Sequence, residues 1–169
     1  TGESGRSADA LVQLSKLDPK SRRALKMLPM SLADAGRWEE ALAAQKKVVS
    51  SLPRSERGPA REILRGIKTE SARALLKTKP RRALKLLKEA IRESPTFAPA
   101  VVLSAQTLAE RGKNKNAGKI LLEAFKRNPD VKFYEEAVKL GDERSLEAIE
   151  SAANKVLEEN PRQHTLRLA

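Results

Sequence analysis

Lysine and arginine far outnumber glutamate between Arg54 and Arg92, the densest run of charge in the chain. Within it Arg57, Arg61, Arg65 and Lys68 stand four, four and three residues apart, so in a helix they form one ridge. Four cations in a line suit anions: a carboxylate-rich peptide, anionic lipid headgroups or phosphates. Arg23 and Lys26 make a smaller pair with the same preference.

Covalent chemistry finds no comparable set of groups. Catalysis needs a nucleophile, a base and a positioned partner. The only histidine, His164, has no acidic neighbour in sequence and reads as a surface residue. There is no cysteine, which excludes disulfides, thiolate metal sites and thiol catalysis and leaves the compartment open. Carboxylates with one histidine make a poor transition-metal site. Glu39-Glu40, Glu135-Glu136 and Glu158-Glu159 read as solvated helix faces, and no glycine spacing forms a phosphate-binding loop. The chain reads as a binding protein without catalytic or metal sites.

The net charge of +12 favours an acidic partner or an anionic surface, and solubility alone competes with that reading. Aromatic residues are 3%, so Leu, Ala, Ile and Val must build the core. No apolar run reaches the roughly 18–20 residues that span a bilayer. The opening Thr1 to Ser7 reads as a polar lead-in.

The elements that carry these side chains repeat. Pro19, Pro53, Pro95, Pro129 and Pro161 lie 34, 42, 34 and 32 residues apart. Aligning on them places Ala41, Ala83, Ala117 and Ile149 at one position, and Val48, Ala90, Ala124 and Val156 at another. The apolar periods are helical. A helix remnant over 8–18 precedes repeats at about 21–53, 59–95, 97–129 and 130–161, and a further helix starts at 162–169. In the first repeat Leu25, Leu28 and Leu32 form the inward stripe, Pro29 should kink the helix, Gly36 ends it and Trp38 packs at the turn. The 42-residue interval implies a longer loop from Pro53 and a lengthened helix with Ile63, Leu64, Ile67, Ser71, Ala74 and Leu75 inward. Thr96 caps the next helix, carrying Val101, Ala105 and Leu108, and Gly112 turns the chain. In the last repeat Val131, Tyr134 and Val138 face in, and Asp142 caps a long final helix.

Gly36-Arg37-Trp38-Glu39-Glu40-Ala41-Leu42 followed by Pro53 resembles a tetratricopeptide repeat, with Pro95, Gly112 and Pro129 marking its later copies. The expected fold is therefore an all-α, right-handed helical-repeat solenoid of about four helix pairs with truncated ends, forming a single array over 1–169. Arrays of this family that clamp acidic C-termini place lysines and asparagines on the concave side of successive first helices. Here those positions hold Arg23, Lys26, Met27 and Met30, then Pro99, Val102, Leu103 and Gln106, so such a clamp is disfavoured.

From Ser94 to about Val138 the likeness narrows. Ser-Pro-Thr-Phe-Ala-Pro-Ala-Val-Val-Leu, Leu108-Ala-Glu-Arg-Gly112 and Leu121-Leu-Glu-Ala-Phe125 before Asn-Pro-Asp are similar to the alphaproteobacterial branch of the HemY family. That resemblance implies the soluble part of a tetratricopeptide protein held on the cytoplasmic side of the inner membrane and linked to tetrapyrrole metabolism. It makes heme or porphyrin a conceivable ligand, with Met27, Met30, Tyr134 or His164 as the available axial groups, although no cofactor is expected.

The function expected from these readings is a non-enzymatic interaction scaffold. Its partner is an acidic protein or peptide met by Arg23, Lys26, Arg57, Arg61, Arg65 and Lys68, with an anionic membrane surface as a further contact. Self-association through the cut ends is expected at high concentration. The alternative is a basic helical-repeat module that binds nucleic acid, which the near absence of exposed aromatics for stacking disfavours.

Overall fold

The computed structural model describes residues 2–19 and 21–159. Among these residues the chain forms nine α-helices, one 3-10 turn and no strand. The helices are α1 (Gly2–Leu17), α2 (Arg22–Asp34), α3 (Trp38–Ser51), α4 (Arg57–Leu75), α5 (Pro80–Glu93), α6 (Ala98–Ala109), α7 (Asn114–Arg127), α8 (Val131–Leu140) and α9 (Glu143–Glu159), and the 3-10 turn is Arg54–Glu56. The fold is all-α and of the helical-repeat class. Pro161, His164 and the helix start expected at 162–169 lie outside the described residues.

The chain divides into two compact units, one up to Thr78 and one from Lys79 onwards. In the first, α1 packs on α2, α2 on α3 and α3 on α4. Ala8, Ala24, Leu28, Leu32, Ala41, Val48, Leu64 and Ile67 are buried there. The Ser21 hydroxyl caps α2 by accepting from the Ala24 N–H (3.4 Å). The helix then runs through the buried Pro29 to Asp34. Gly36 follows at φ +72°, a left-handed conformation that a Cβ would strain.

The second unit is built round α6, which packs on α5, α7 and α8, while α9 packs on α7 and α8. Its core joins Val101, Ala105, Ala117, Leu121, Phe125, Phe133, Ala137, Ile149 and Ala153. Small residues let helices approach closely. At Gly118, on the inner side of α7, an added Cβ would stand 2.6 Å from the Ser145 Cβ of α9. The aligned Ala41, Ala83, Ala117 and Ile149 are all fully buried, so the proline register is the register of the fold.

Several local expectations are corrected. The stretch Gly2 to Ser7 is helical, despite two glycines, and Glu3 in the first turn suits the helix dipole. α6 begins at Ala98 with Phe97, not Thr96, before it, because Pro99 is accommodated only in the first turn. On α8 the buried face runs through Phe133, Glu136 and Ala137, leaving Val131 and Val138 exposed. A phenylalanine that fills the core sets the rotation of that helix, and the β-branched valines on either side turn outward. Glu136 is accordingly not a solvated face residue. Asp130, not singled out from sequence, caps α8 by accepting from the Lys132 N–H at 3.0 Å. Asp142 sits just before α9 as expected, and its carboxylate accepts from the Ser145 hydroxyl.

Candidate functional site

The first unit carries an open groove above α3. One part, about 510 Å³, is lined by Lys26 of α2, by Gln45, Val48 and Leu52 of α3, by Ser55 and Glu56 of the 3-10 turn, and by Pro59, Ala60 and Ile63 of α4. A second recess of about 310 Å³ adds Pro19, Arg22, Leu25, Ser51 and Pro53 and shares Lys26, Val48, Leu52 and Glu56 with the first. The shared residues make the two recesses one continuous groove. Its floor is the exposed edge of α3, and its walls are α2 and the start of α4.

Each wall follows from local sequence. On α2 the Leu28 and Leu32 stripe is buried, which turns Lys26 and, four residues on, Met30 outward on one face. Met27 and Met30 are 46% and 48% exposed, so two large flexible thioether side chains flank the lysine. On α4 Leu64 and Ile67 are buried, and Ile63 is left 45% exposed facing the cavity. The floor is pinned by the buried amide of Gln45, which donates to the Ala60 carbonyl at 2.8 Å. That bond ties α3 to α4 and satisfies a polar group where an unpaired one would cost about 1–3 kcal/mol. At the far end the Arg57 guanidinium donates to the carbonyls of Leu52 (2.9 Å) and Ser50 (3.5 Å), closing the chain reversal after α3.

The expected basic sites separate in three dimensions. Lys26 lines the groove, while Arg23 is exposed and lines neither recess. Of the α4 ridge only Arg61 is fully exposed. Arg57 is half-buried and bound to backbone carbonyls, Arg65 is half-buried, and Lys68 is 3% exposed. The ridge therefore offers no row of four solvent-facing cations. The physical reason lies in the second half of α4, where Thr69, Ser71 and Ala72 are also buried. Small residues widen the packed face there until it takes in the lysine position. Helical spacing reported that the four share a side and could not report what that side meets.

Ile63, placed inward from sequence, is the groove residue that sequence reasoning missed. Ala74, placed inward with it, is exposed. The available signal was the proline at 59, four residues before Ile63 and on the same side of the helix start. Trp38 is half-buried at the start of α3, next to a charge cluster. There Arg37 makes a bidentate pair with Glu40 (2.7 and 2.6 Å) and reaches Asp9 on α1 at 2.6 Å. Hydrogen bonding to Arg37 holds the Glu40 carboxyl below its ordinary range. In the second unit burial, aided by a 3.2 Å hydrogen bond to Glu150, pushes the Tyr134 hydroxyl up.

The second unit has its own smaller recess, about 220 Å³, between α6 and α8. It is lined by Ala98, Pro99, Val102, Lys132, Glu135, Glu136 and Lys139. Pro99 and Val102 lie where the repeat register put them, whereas Leu103 is buried in the core. Lys139 is 3.7 Å from Glu136, so one of the two lysines here is partnered by a carboxylate on the same helix. Among the described residues no group of three or more His, Asp or Glu is placed to hold a metal ion, and no helix is long and apolar enough to cross a membrane.

The tetratricopeptide repeat family profile matches residues 74–137. Among solved structures the chain is similar to a thermophilic TPR protein of Thermus thermophilus, at 21% identity and a TM-score of 0.42, over 98% of this chain and 88% of that one. No curated protein matches the sequence. The matched stretch, 74–137, begins near the end of α4 and runs into α8.

Proposed function

We propose that this chain is a non-enzymatic protein-interaction scaffold whose groove between α2 and α4 takes an acidic segment with apolar anchors. One observation carries the reading: the groove sets exposed cations beside apolar side chains, the exposed Ile63 among them, on a single surface. Lys26 and Arg22 supply positive charge, and Val48, Leu52, Pro59 and Ile63 supply apolar walls. Met27 and Met30 beside the rim are side chains that adapt to varied partners. A groove of this size seats two or three anchor side chains of a peptide and leaves its carboxylates near Lys26. Tetratricopeptide repeats generally serve protein–protein interaction, which supports a scaffold role.

The finer assignment belongs to the same proposal. Lineage with HemY-type proteins, a tether on the cytoplasmic side of the inner membrane and a link to tetrapyrrole metabolism rest on the likeness between Ser94 and Val138. Heme or porphyrin binding would draw on the exposed Met27 and Met30, because the Tyr134 hydroxyl already donates to Glu150.

Selection from a displayed library of random 15-residue peptides tests the groove. Enriched sequences should combine Asp or Glu with Leu, Ile or Phe, and the Ile63→Asp protein should fail to enrich them. The same peptides emerging against both proteins would contradict the proposal. A hemin titration that leaves absorbance unchanged would remove the tetrapyrrole part.

A further inference from the structure

The cations that do face solvent lie on α5 and α7, in the second unit. On α5, Arg81, Lys85, Lys88 and Arg92 are all exposed. Their spacing of four, three and four keeps them within about 60° of arc and stretches them over about 16 Å of helix. The opposite side of α5, with Ala83, Leu87 and Ala90, is buried. Thirty-four residues on, one repeat length, Lys115, Lys119 and Lys126 of α7 stand at the positions of Arg81, Lys85 and Arg92, and all three are exposed. Both helices pack on α6, so the two rows belong to one body.

The rows are confined to these two helices. Counting back by the 42-residue proline interval brings Glu39, Ala43, Lys46 and Ser50 of α3 to the positions of Arg81, Lys85, Lys88 and Arg92. Counting forward by 32 brings Glu147, Ser151 and Glu158 of α9. All seven are exposed, and only Lys46 among them is basic. Solubility would be served by charge on every outer helix. Here three or more cations share these positions only in two adjacent repeats, and two of the positions are acidic in the next.

We propose that the outward faces of α5 and α7 bind the sugar-phosphate backbone of a nucleic-acid duplex without reading its sequence. Three observations select this partner. The cations form narrow rows, with Glu89 and Glu93 along one flank of the α5 row. A line of phosphates can follow such a row, whereas the plane of an anionic bilayer would also meet the glutamates. No large apolar side chain is exposed on α5 or α7, so nothing there inserts into lipid. No aromatic residue lies on the outer faces of these helices either, which disfavours stacked single strands and leaves the duplex backbone. The surface uses none of the side chains of the α2–α4 groove, so either reading can fail alone.

The test is fluorescence anisotropy of a labelled 20-base-pair DNA duplex with the full chain between 50 and 200 mM salt. Contact with about six phosphates gives a slope of log K against log salt of about −5, and about a thousandfold loss of affinity across that range. The variant Arg81→Glu/Lys85→Glu/Lys119→Glu should bind at least about tenfold more weakly at 50 mM, with the slope reduced by about three. The variant Lys16→Glu/Lys46→Glu/Lys47→Glu, with the same change in net charge on other exposed positions, should keep most of the affinity. Glutamine at 81, 85 and 119 should lower affinity in the same direction, and this variant serves if circular dichroism shows lost helix in the reversals. Equal losses from the two reversal variants, or no duplex binding by the natural chain at 50 mM, would overturn the proposal. So would tighter binding to vesicles with 30% phosphatidylserine than to duplex.

Discussion

The recess between α6 and α8 and the groove between α2 and α4 occupy corresponding places in the repeat pattern, yet they differ in size and in charge. In the second unit α8 is a ten-residue helix packed directly on α6, and its lysines alternate with glutamates. The cavity is small and its charges are internally compensated. In the first unit the longer proline interval adds a 3-10 turn and the 19-residue α4. Ser55 and Glu56 of that turn line the groove, Ile63 is left facing into it, and Lys26 stands on the opposite wall. The insertion between repeats thus accompanies a larger groove with an apolar wall.

The largest expected effect concerns what holds the closed unit together. Phe125 is fully buried in the α6–α9 core, so Phe125→Ala should destabilise it by about 3–5 kcal/mol in denaturant unfolding. A loss below about 1 kcal/mol would mean that this core does not carry the unit. A pair of glycines extends the contrast. Gly118→Ala drives a methyl into Ser145 of α9 and should cost about 1–3 kcal/mol. Gly66→Ala on α4 meets open space in a helix interior and should stabilise by about 0.5–1 kcal/mol. Equal signs at the two sites would contradict the close approach of α7 to α9.

Exposed apolar residues give the third test. Ile63 and Val138 are 45% and 48% exposed, one in the groove and one on α8. Ile63→Asp should weaken a selected acidic peptide about tenfold, the effect of losing roughly one half-buried anchor. Val138→Asp should leave that affinity unchanged, and neither substitution should shift the melting temperature appreciably. Equal effects on binding would remove the distinction between the two surfaces.

Much of the fold is legible in the residues because repetition averages out local noise. The prolines locate Ala83 and Ala117 at fully buried positions, and Gly36, Gly112 and Gly141 all take the left-handed conformation that ends a helix. The candidate site is far less legible. Ile63 and Ile67 have the same chemistry four residues apart on one helix, and packing leaves the first exposed while burying the second. Lys68 fails in the opposite sense, since a basic side chain on an amphipathic helix is expected in water and here is buried. On α5 the basic row is visible in sequence, but its solvent exposure depends on which side Ala83 and Ala90 bury. Local pattern reports periodicity, whereas a binding surface is defined by what remains uncovered after packing.

The smallest effect concerns the Arg37 cluster joining α1 to α3, for which the second unit has no described counterpart in the same position. Arg37 lowers the folded-state pKa of Glu40, so the pair stabilises above the ordinary carboxylate value of 4.5 and loses that contribution as pH falls through the depressed folded value. Arg37→Met should therefore lower the melting temperature slightly at pH 7, and the gap from the natural chain should close in acid. High salt should narrow it as well, because Asp9 and Glu40 are largely exposed. A gap that widens in acid would contradict this assignment.

Methyl NMR of the chain labelled at Met, Ile and Val, titrated with a selected acidic peptide, probes the groove itself. The account predicts shifts at the methyls of Met27, Met30, Val48 and Ile63, with Val102, Val131 and Val138 unmoved. Shifts centred on Val102 and Val138, with Ile63 silent, would place the binding surface on the second unit and contradict the account.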